Sequence, residues 1–260
     1  MAPAMAPART KAPARARADE LLVADATAPT IAVFGRADGL PARGAPGALL
    51  VDKPPRLTSF DVVARVRRAL REPKVGHAGT LDPMATGLLI ILVGREATRV
   101  QDRFMGLPKT YSGTLRLGET TASYDADSPV ESRVEAGAVT ADALAAAAGA
   151  LTGSIEQRPP AYSAVKVGGE RLYKKARRGE TVVVAPRPTS VYAFELLGRR
   201  GDDVDFRVEC SKGTYVRSLA HDLGQAVGVG AHLVALRRTA IGPFTADEAW
   251  ELETLVEAAG

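Results

Sequence analysis

The chain has 260 residues, with 34 Lys and Arg against 30 Asp and Glu, and 46% of it is hydrophobic; this is an ordinary globular composition, long enough for one large domain or two small ones. No apolar run approaches the roughly 20 residues of a membrane span, and the single cysteine, Cys210, excludes a disulfide framework and fits a reducing, cytoplasmic compartment. Three scattered histidines, His77, His221 and His232, leave no structural zinc site, and a net charge of +4 is too small to identify an acidic partner.

Residues 1–47 are rich in Ala, Pro and Arg. Few large apolar groups are present to offset the backbone entropy of ordering, so a disordered tail is expected. The first 18 residues hold four basic and no acidic side chains, the pattern of an organelle transit peptide. Arg also outnumbers Lys about three to one along the whole chain. A G+C-rich coding sequence gives the same bias and is the preferred reading. No apolar stretch follows the charges, which argues against a secretory signal.

The folded part is expected to begin at Gly47-Ala-Leu-Leu-Val51, a short strand stopped by Pro54 and Pro55. Thr58 or Ser59 can cap a helix running to Leu70, with Val62, Val63, Val66 and Leu70 on one face. Gly87 to Val93 is a short bounded apolar run, which favours a buried strand. Tyr111 to Gly118 alternates with period two, a half-buried strand. Thr140 to Ala150 reads as an alanine-rich helix. Val182–Val184, Ser190–Leu197 and Val204–Cys210 read as strands, Val216–Val227 as an amphipathic helix, and Ala246–Val256 as a C-terminal apolar helix within 246–260. Strands in runs with helices between them predict an α+β fold.

No phosphate-cradling loop, nucleophile elbow or metalloprotease motif is present. One segment is distinctive: Gly76-His77-Ala-Gly-Thr-Leu-Asp82-Pro83-Met-Ala-Thr-Gly87. Pro83 pushes Asp82 out of the helical region and holds its carboxylate on a stiff loop before a buried strand. In an ordinary turn such an Asp accepts local backbone bonds. A second segment, Lys212-Gly-Thr-Tyr215-Val-Arg217, puts Arg217 in the first turn of a helix, where a cation opposes the helix dipole. A surface arginine is the plain reading, and a buried carboxylate partner would reverse it. An Asp beside such an Arg is expected to have its pKa lowered and to serve as a nucleophile. The pair Asp125 and Asp127 suggests a metal at first sight, but reads as a turn.

The Gly76–Leu89 segment resembles the catalytic motif of the TruB family of tRNA pseudouridine synthases. Six further stretches match in order: Leu50-Val-Asp-Lys-Pro54; Gly94-Arg-Glu-Ala-Thr-Arg99, with one inserted residue; Lys109-Thr-Tyr111 with Leu115–Gly118 and Asp125-Ala-Asp127; Gln157–Lys166; Lys212–Arg217; and Gly230–Arg238. The resemblance covers about residues 48–250 and implies the pseudouridine-synthase catalytic fold over 48–245, a central mixed, mostly antiparallel sheet flanked by helices. The implied reaction isomerises uridine at position 55 of the tRNA T-loop, without cofactor or metal, on a monomer.

Under that resemblance Asp82 is the nucleophile and Arg217 pairs with it. Tyr111 stacks on the target base and takes part in proton transfer. His77 holds the flipped-out state of the loop, and Tyr215 and Leu236 line the uracil pocket. Residues 156–186 become an RNA-binding insertion that clamps the T-arm. From Glu156 to Arg178 the chain carries Arg158, Lys166, Arg171, Lys174, Lys175, Arg177 and Arg178 against two acidic residues, with Tyr162 and Tyr173 between them. A solvated amphipathic helix is the alternative for that charge run. Family members usually continue into a PUA-type RNA-binding domain, which is expected to be missing here. Two other functions remain open on the same fold, an RNA-binding tRNA-folding chaperone and a guide-RNA-dependent synthase subunit.

Overall fold

The computed structural model describes residues 30–260 apart from Ala164, Thr181 and Val183 and the side chains of Lys166 and Arg177. The expected tail therefore lies outside the described residues up to position 29. From Ile31 the expectation needs correcting: Ile31 and Val33 are fully buried, and a short strand β1 (Val33–Phe34) pairs parallel with β2 (Gly47–Lys53).

Thr58 caps α1 (Ser59–Ala69) through a reciprocal box with Asp61, and Val62, Val63 and Val66 face the core. The short strand β3 (Val75–His77) leads into the Asp82 loop. The apolar run then forms β4 (Thr86–Val93), buried from Gly87 onward as a central strand must be. Two short helices, α2 (Gly94–Arg99) and α3 (Gln101–Gly106), precede β5 (Lys109–Leu117). A small hairpin, β6 (Glu119–Thr121) and β7 (Val130–Arg133), follows, and then α4 (Ala141–Ala150), capped by Thr140. β8 (Gly153–Gln157) opens the insertion, which holds the β9–β10 hairpin (Lys166–Val167, Glu170–Arg171) and α5 (Leu172–Arg177). Val182 and Val184 lie outside any strand, and Val183 is not among the described residues. Strands β11 (Arg187–Arg200) and β12 (Asp203–Cys210), helix α6 (Val216–Ala226) and β13 (Ala231–Ile241) complete the core.

Among the described residues eleven strands form one sheet, with the path β1-β2-β4-β13-β5-β12-β11-β8 and β3 added against β4. Most neighbours are antiparallel, but β4 and β13 are parallel. That join brings Gly87, Arg238 and Tyr111 side by side on three adjacent strands. Gly87 has φ +98°, and a Cβ there would lie 2.3 Å from the Arg238 carbonyl oxygen. Only glycine permits that approach.

The C-terminal segment departs from the single helix expected over 246–260. It forms β14 (Phe244–Thr245), a 3₁₀ turn at Ala246–Glu248, β15 (Trp250–Glu251) and α7 (Leu252–Ala259). Thr245 and Glu248 close a capping box around the turn. Trp250 then pairs with Val51 along the same edge of β2 that holds β1.

Candidate active site

Asp82 sits on the loop between β3 and β4, and both of its neighbours are tied down. Leu81 donates its N–H to Ser59 Oγ (2.9 Å), and Ser59 Oγ donates to the Leu81 carbonyl (3.2 Å). The Pro83 carbonyl accepts from Arg56 N (2.8 Å) and from Lys53 Nζ (3.2 Å). Lys53 also donates to Pro54 O (2.9 Å) and Leu57 O (2.7 Å). Its side chain is fully buried, and burial pulls its pKa down to about 8, with Asp82 opposing. The stiffness read from Pro83 is therefore reinforced on each side of the carboxylate.

Arg217 meets Asp82 there. Its Nε lies 2.9 Å from Asp82 Oδ2, and its Nη2 donates to Oδ1 (3.2 Å). The guanidinium also donates to the carbonyls of Ser123 (2.9 Å) and Tyr162 (3.0 Å). Only 4% of Arg217 is exposed, so the surface arginine of the plain reading is overturned by its partners. The Asp82 side chain keeps 37% of its surface open, as a group that must reach a substrate requires.

The electrostatics differ from the expectation. Burial raises the Asp82 pKa above the ordinary carboxylate value, and the pull of Arg217 only partly opposes it. Asp125 pushes in the same direction as burial. This residue belongs to the site, although the sequence reading left it in a turn. It is buried, accepts from Ser123 Oγ and Asp127 N, and lies 3.5 Å from Arg217 Nε. Asp127, more exposed, is raised by burial and then by Asp125 and Asp82. Among the described residues no group of three or more His, Cys, Asp and Glu is arranged to hold a metal ion.

An apolar floor adjoins these charges. Tyr111 and Leu236 are nearly buried in one cluster with Leu81 and Val216. Leu236 pairs across the sheet with Gly113, where a Cβ would lie 2.5 Å from the Ala235 carbonyl oxygen. Burial raises the Tyr111 phenol, and Arg238 opposes that from 6.0 Å over the ring. Arg238 itself is buried and donates to Leu88 O (2.7 Å) and Gly79 O (3.0 Å), bracing the start of the Asp82 loop. Tyr215, half-buried at the start of α6, exchanges two hydrogen bonds with the Gln157 side chain and packs on the apolar cluster of the insertion. His77 lies on β3, edge-on to Phe60 at 5.3 Å. Burial lowers its pKa, so its ring is neutral near pH 7. Phe60 is 63% exposed and was missed by the sequence reading, because no periodicity marks a solvent-facing aromatic.

The basic insertion is only partly available for a partner. Arg178 makes a two-pronged bond to Glu170 (2.7 Å) and another to Glu180, and Lys175 lies 3.7 Å from Glu180. Arg158, Arg171 and Lys174 are exposed, whereas the side chains of Lys166 and Arg177 lie outside the described set.

Residues 67–216 match the family model described as TruB family pseudouridylate synthase (N terminal domain), and residues 217–260 match tRNA pseudouridylate synthase B C-terminal domain. The chain is 51% identical over 217 residues to a tRNA pseudouridine synthase B from Arthrobacter sp. (strain FB24), covering 81% of this chain and 71% of that protein. Identity is 49% over 216 residues to the protein of that name from Mycobacterium tuberculosis (strain ATCC 25618 / H37Rv), covering 82% and 72%. Among solved structures, an H/ACA RNP bound to a substrate RNA containing 2′-deoxyuridine includes a chain 34% identical, with a TM-score of 0.60 over 81% of this chain. This chain spans about half of that one, 52%.

Proposed function

The chain belongs to the TruB family of pseudouridylate synthases, and we propose that it isomerises uridine to pseudouridine at position 55 in the T-loop of tRNA. The observation that carries the reading is the Asp82–Arg217 pair at 2.9 Å on a loop tied at both flanks. Asp82 acts as the nucleophile on the uridine. The C1′–N1 bond breaks, the base turns within the site, and a C1′–C5 bond forms. C5 gives up a proton and N1 takes one. Reactant and product hold the same atoms, so the overall reaction calls for no group donor and no redox cofactor.

Arg217 favours the ionised carboxylate against its burial and fixes its direction. Tyr111, with Leu236, forms a floor for the flat base, and Tyr215 borders it. Flipping the base out of a folded loop costs a few kcal/mol. Stacking on His77 and Phe60, at roughly 1–3 kcal/mol per base, and phosphate contacts from Arg158, Arg171 and Lys174 offset that cost. We read the protein as a monomer, because Asp82, Arg217, Tyr111 and Leu236 of one chain meet in one site, and a tRNA substrate supports a cytoplasmic reading.

The test is tritium release from unmodified tRNA transcribed with [5-³H]uridine, followed by mapping of pseudouridine. Release at the T-loop uridine is expected, and Asp82→Asn abolishes it while tRNA still binds. Normal binding without release by the unaltered protein overturns the reading in favour of a tRNA-folding chaperone.

A further inference from the structure

The loop between β6 and β7 reaches the active site through Ser123 and Asp125, and it is held by two residues of α6. Arg217 binds the Ser123 carbonyl at 2.9 Å and lies 3.5 Å from Asp125. One helical turn later, on the same face, His221 stacks on Tyr124. The ring centroids are 3.8 Å apart and the planes differ by 11°. Tyr124 lies between the two Arg217 contacts in sequence and has φ +62°. L-residues with bulky side chains rarely adopt that conformation, so surrounding contacts must hold it.

The other tethers of Tyr124 are backbone bonds. Its N–H donates to Thr121 O (3.2 Å) and its carbonyl accepts from Leu233 N (3.0 Å). They fix the chain path and leave the ring free to choose its contact. Among the described residues His221 Nδ1 is buried without a hydrogen-bond partner, so the stack and packing, rather than a polar bond at that atom, hold the imidazole. Burial lowers its pKa, which keeps the ring neutral and suited to stacking near pH 7.

We propose that Tyr124 and His221 form an aromatic clamp that positions the Ser123–Asp125 loop on Arg217, and through that guanidinium the nucleophile Asp82. Both are positioning residues. The clamp stabilises a strained backbone at the point where it delivers a carbonyl and a carboxylate to Arg217. Releasing it lets Asp125 withdraw. Arg217 then serves Asp82 alone, with its direction less well defined. The charged groups acting on Asp82 are Arg217, Asp125 and Lys53, and Asp127 is raised by Asp82 in turn. Those facing Tyr124 besides His221 are Asp222, Arg158 and Glu131.

The proposal rests on the isomerase reading for its kinetic readout, and hydrogen exchange supplies one independent of turnover. His221→Ala is expected to lower kcat by about tenfold or more, as loss of orientation does, with KM for tRNA within about twofold. Its acid limb moves to lower pH, because Asp125 no longer raises the Asp82 pKa. His221→Phe keeps a flat ring and restores kcat to within about twofold of the unaltered protein. Amides 122–128 exchange faster in His221→Ala and return to the original rate in His221→Phe. Unchanged exchange in His221→Ala, or a lowered melting temperature with kcat and acid limb unmoved, overturns the clamp. No turnover by the unaltered protein, with exchange responding as described, overturns the isomerase reading and leaves the clamp standing.

Discussion

Lys53→Met tests how the Asp82 loop is held. The lysine is fully buried, and its ammonium donates to the carbonyls of Pro54, Leu57 and Pro83. Met has similar length and reach but no donor. Burial brings the folded-state pKa of the lysine to about 8, against 10.5 for the ordinary amine. Between those two values the unfolded chain still carries a proton that the folded chain has released. Stability therefore rises with pH through that window, and the contribution is lost as pH falls towards 8. From pH 8 to 9.5 is about 1.5 units, and at about 1.4 kcal/mol per unit the folded protein gains roughly 2 kcal/mol. Lys109, Tyr111 and Cys210 titrate in both proteins and cancel in the difference.

The assay is urea unfolding of both proteins at about pH 7 and about pH 9.5. The stability of the unaltered protein minus that of Lys53→Met is expected to rise by about 2 kcal/mol at the higher pH, whichever protein is the more stable at pH 7. A difference that stays constant or falls refutes a desolvated ammonium at this position. Loss of the donor also frees the Pro83 carbonyl from one of its two partners. Tritium release by Lys53→Met is therefore expected to fall in kcat more than it rises in KM.

Because burial raises the Asp82 pKa, turnover is expected to be lost on the acid side at a pH above the ordinary carboxylate value of 3.8; an acid limb at or below it in the pH dependence of kcat refutes this. The same shift makes the ionised carboxylate a net cost to folding, so Asp82→Asn is expected to abolish tritium release without lowering the melting temperature, and a clear fall counts against it. Phe60→Ala removes a ring that is 63% exposed, so stability changes by less than about 0.5 kcal/mol, while KM for tRNA rises about tenfold if the ring stacks on a base; an unchanged KM removes it from the RNA contact. Gly87→Ala puts a Cβ 2.3 Å from the Arg238 carbonyl at φ +98°, and a urea-unfolding loss of more than about 3 kcal/mol is expected, whereas a loss below about 1 kcal/mol shows that β13 can give way.

Much of this arrangement was legible in the sequence. The short bounded run Gly87–Val93 favours a buried strand, and it lies between β2 and β13. A cap at Thr58 or Ser59 and the apolar face of α1 were legible from spacing, and the structure selects Thr58, boxed with Asp61. What stayed hidden depended on contacts distant in sequence. Lys53 beside two prolines looks like a surface cation, and only carbonyls supplied by the folded loop make its burial tolerable. Asp125 lies in a short polar stretch, where nothing local separates a turn from a carboxylate aimed at Arg217. The segment from Ala246 has helical spacing of its apolar residues, but the edge of β2 recruits Trp250 as a strand, and tertiary pairing overrides propensity. The same edge recruits Val33 and Phe34 out of an Ala- and Pro-rich stretch too short to form a strand alone.

Why these distant pieces meet follows from the parallel seam of β4 and β13. An all-antiparallel neighbour for β4 would run the other way and carry its start, and Asp82 with it, away from Tyr111. The parallel pairing sets Gly87 beside Arg238 and Arg238 beside Tyr111. The nucleophile loop, five residues before Gly87, then opens beside the floor formed by Tyr111 and Leu236. Arg238 spans the seam by donating to Leu88 O in β4 and Gly79 O in the loop. Glycine at 87 and 113 lets both neighbours of β13 approach it closely. At this seam packing and catalytic geometry are one constraint, because any added atom that separates β4 from β13 also moves Asp82 relative to Tyr111. The segment around Asp82 is accordingly the most distinctive in the chain: it must encode a reactive group, a stiff turn and a strand entry within twelve residues, from Gly76 to Gly87.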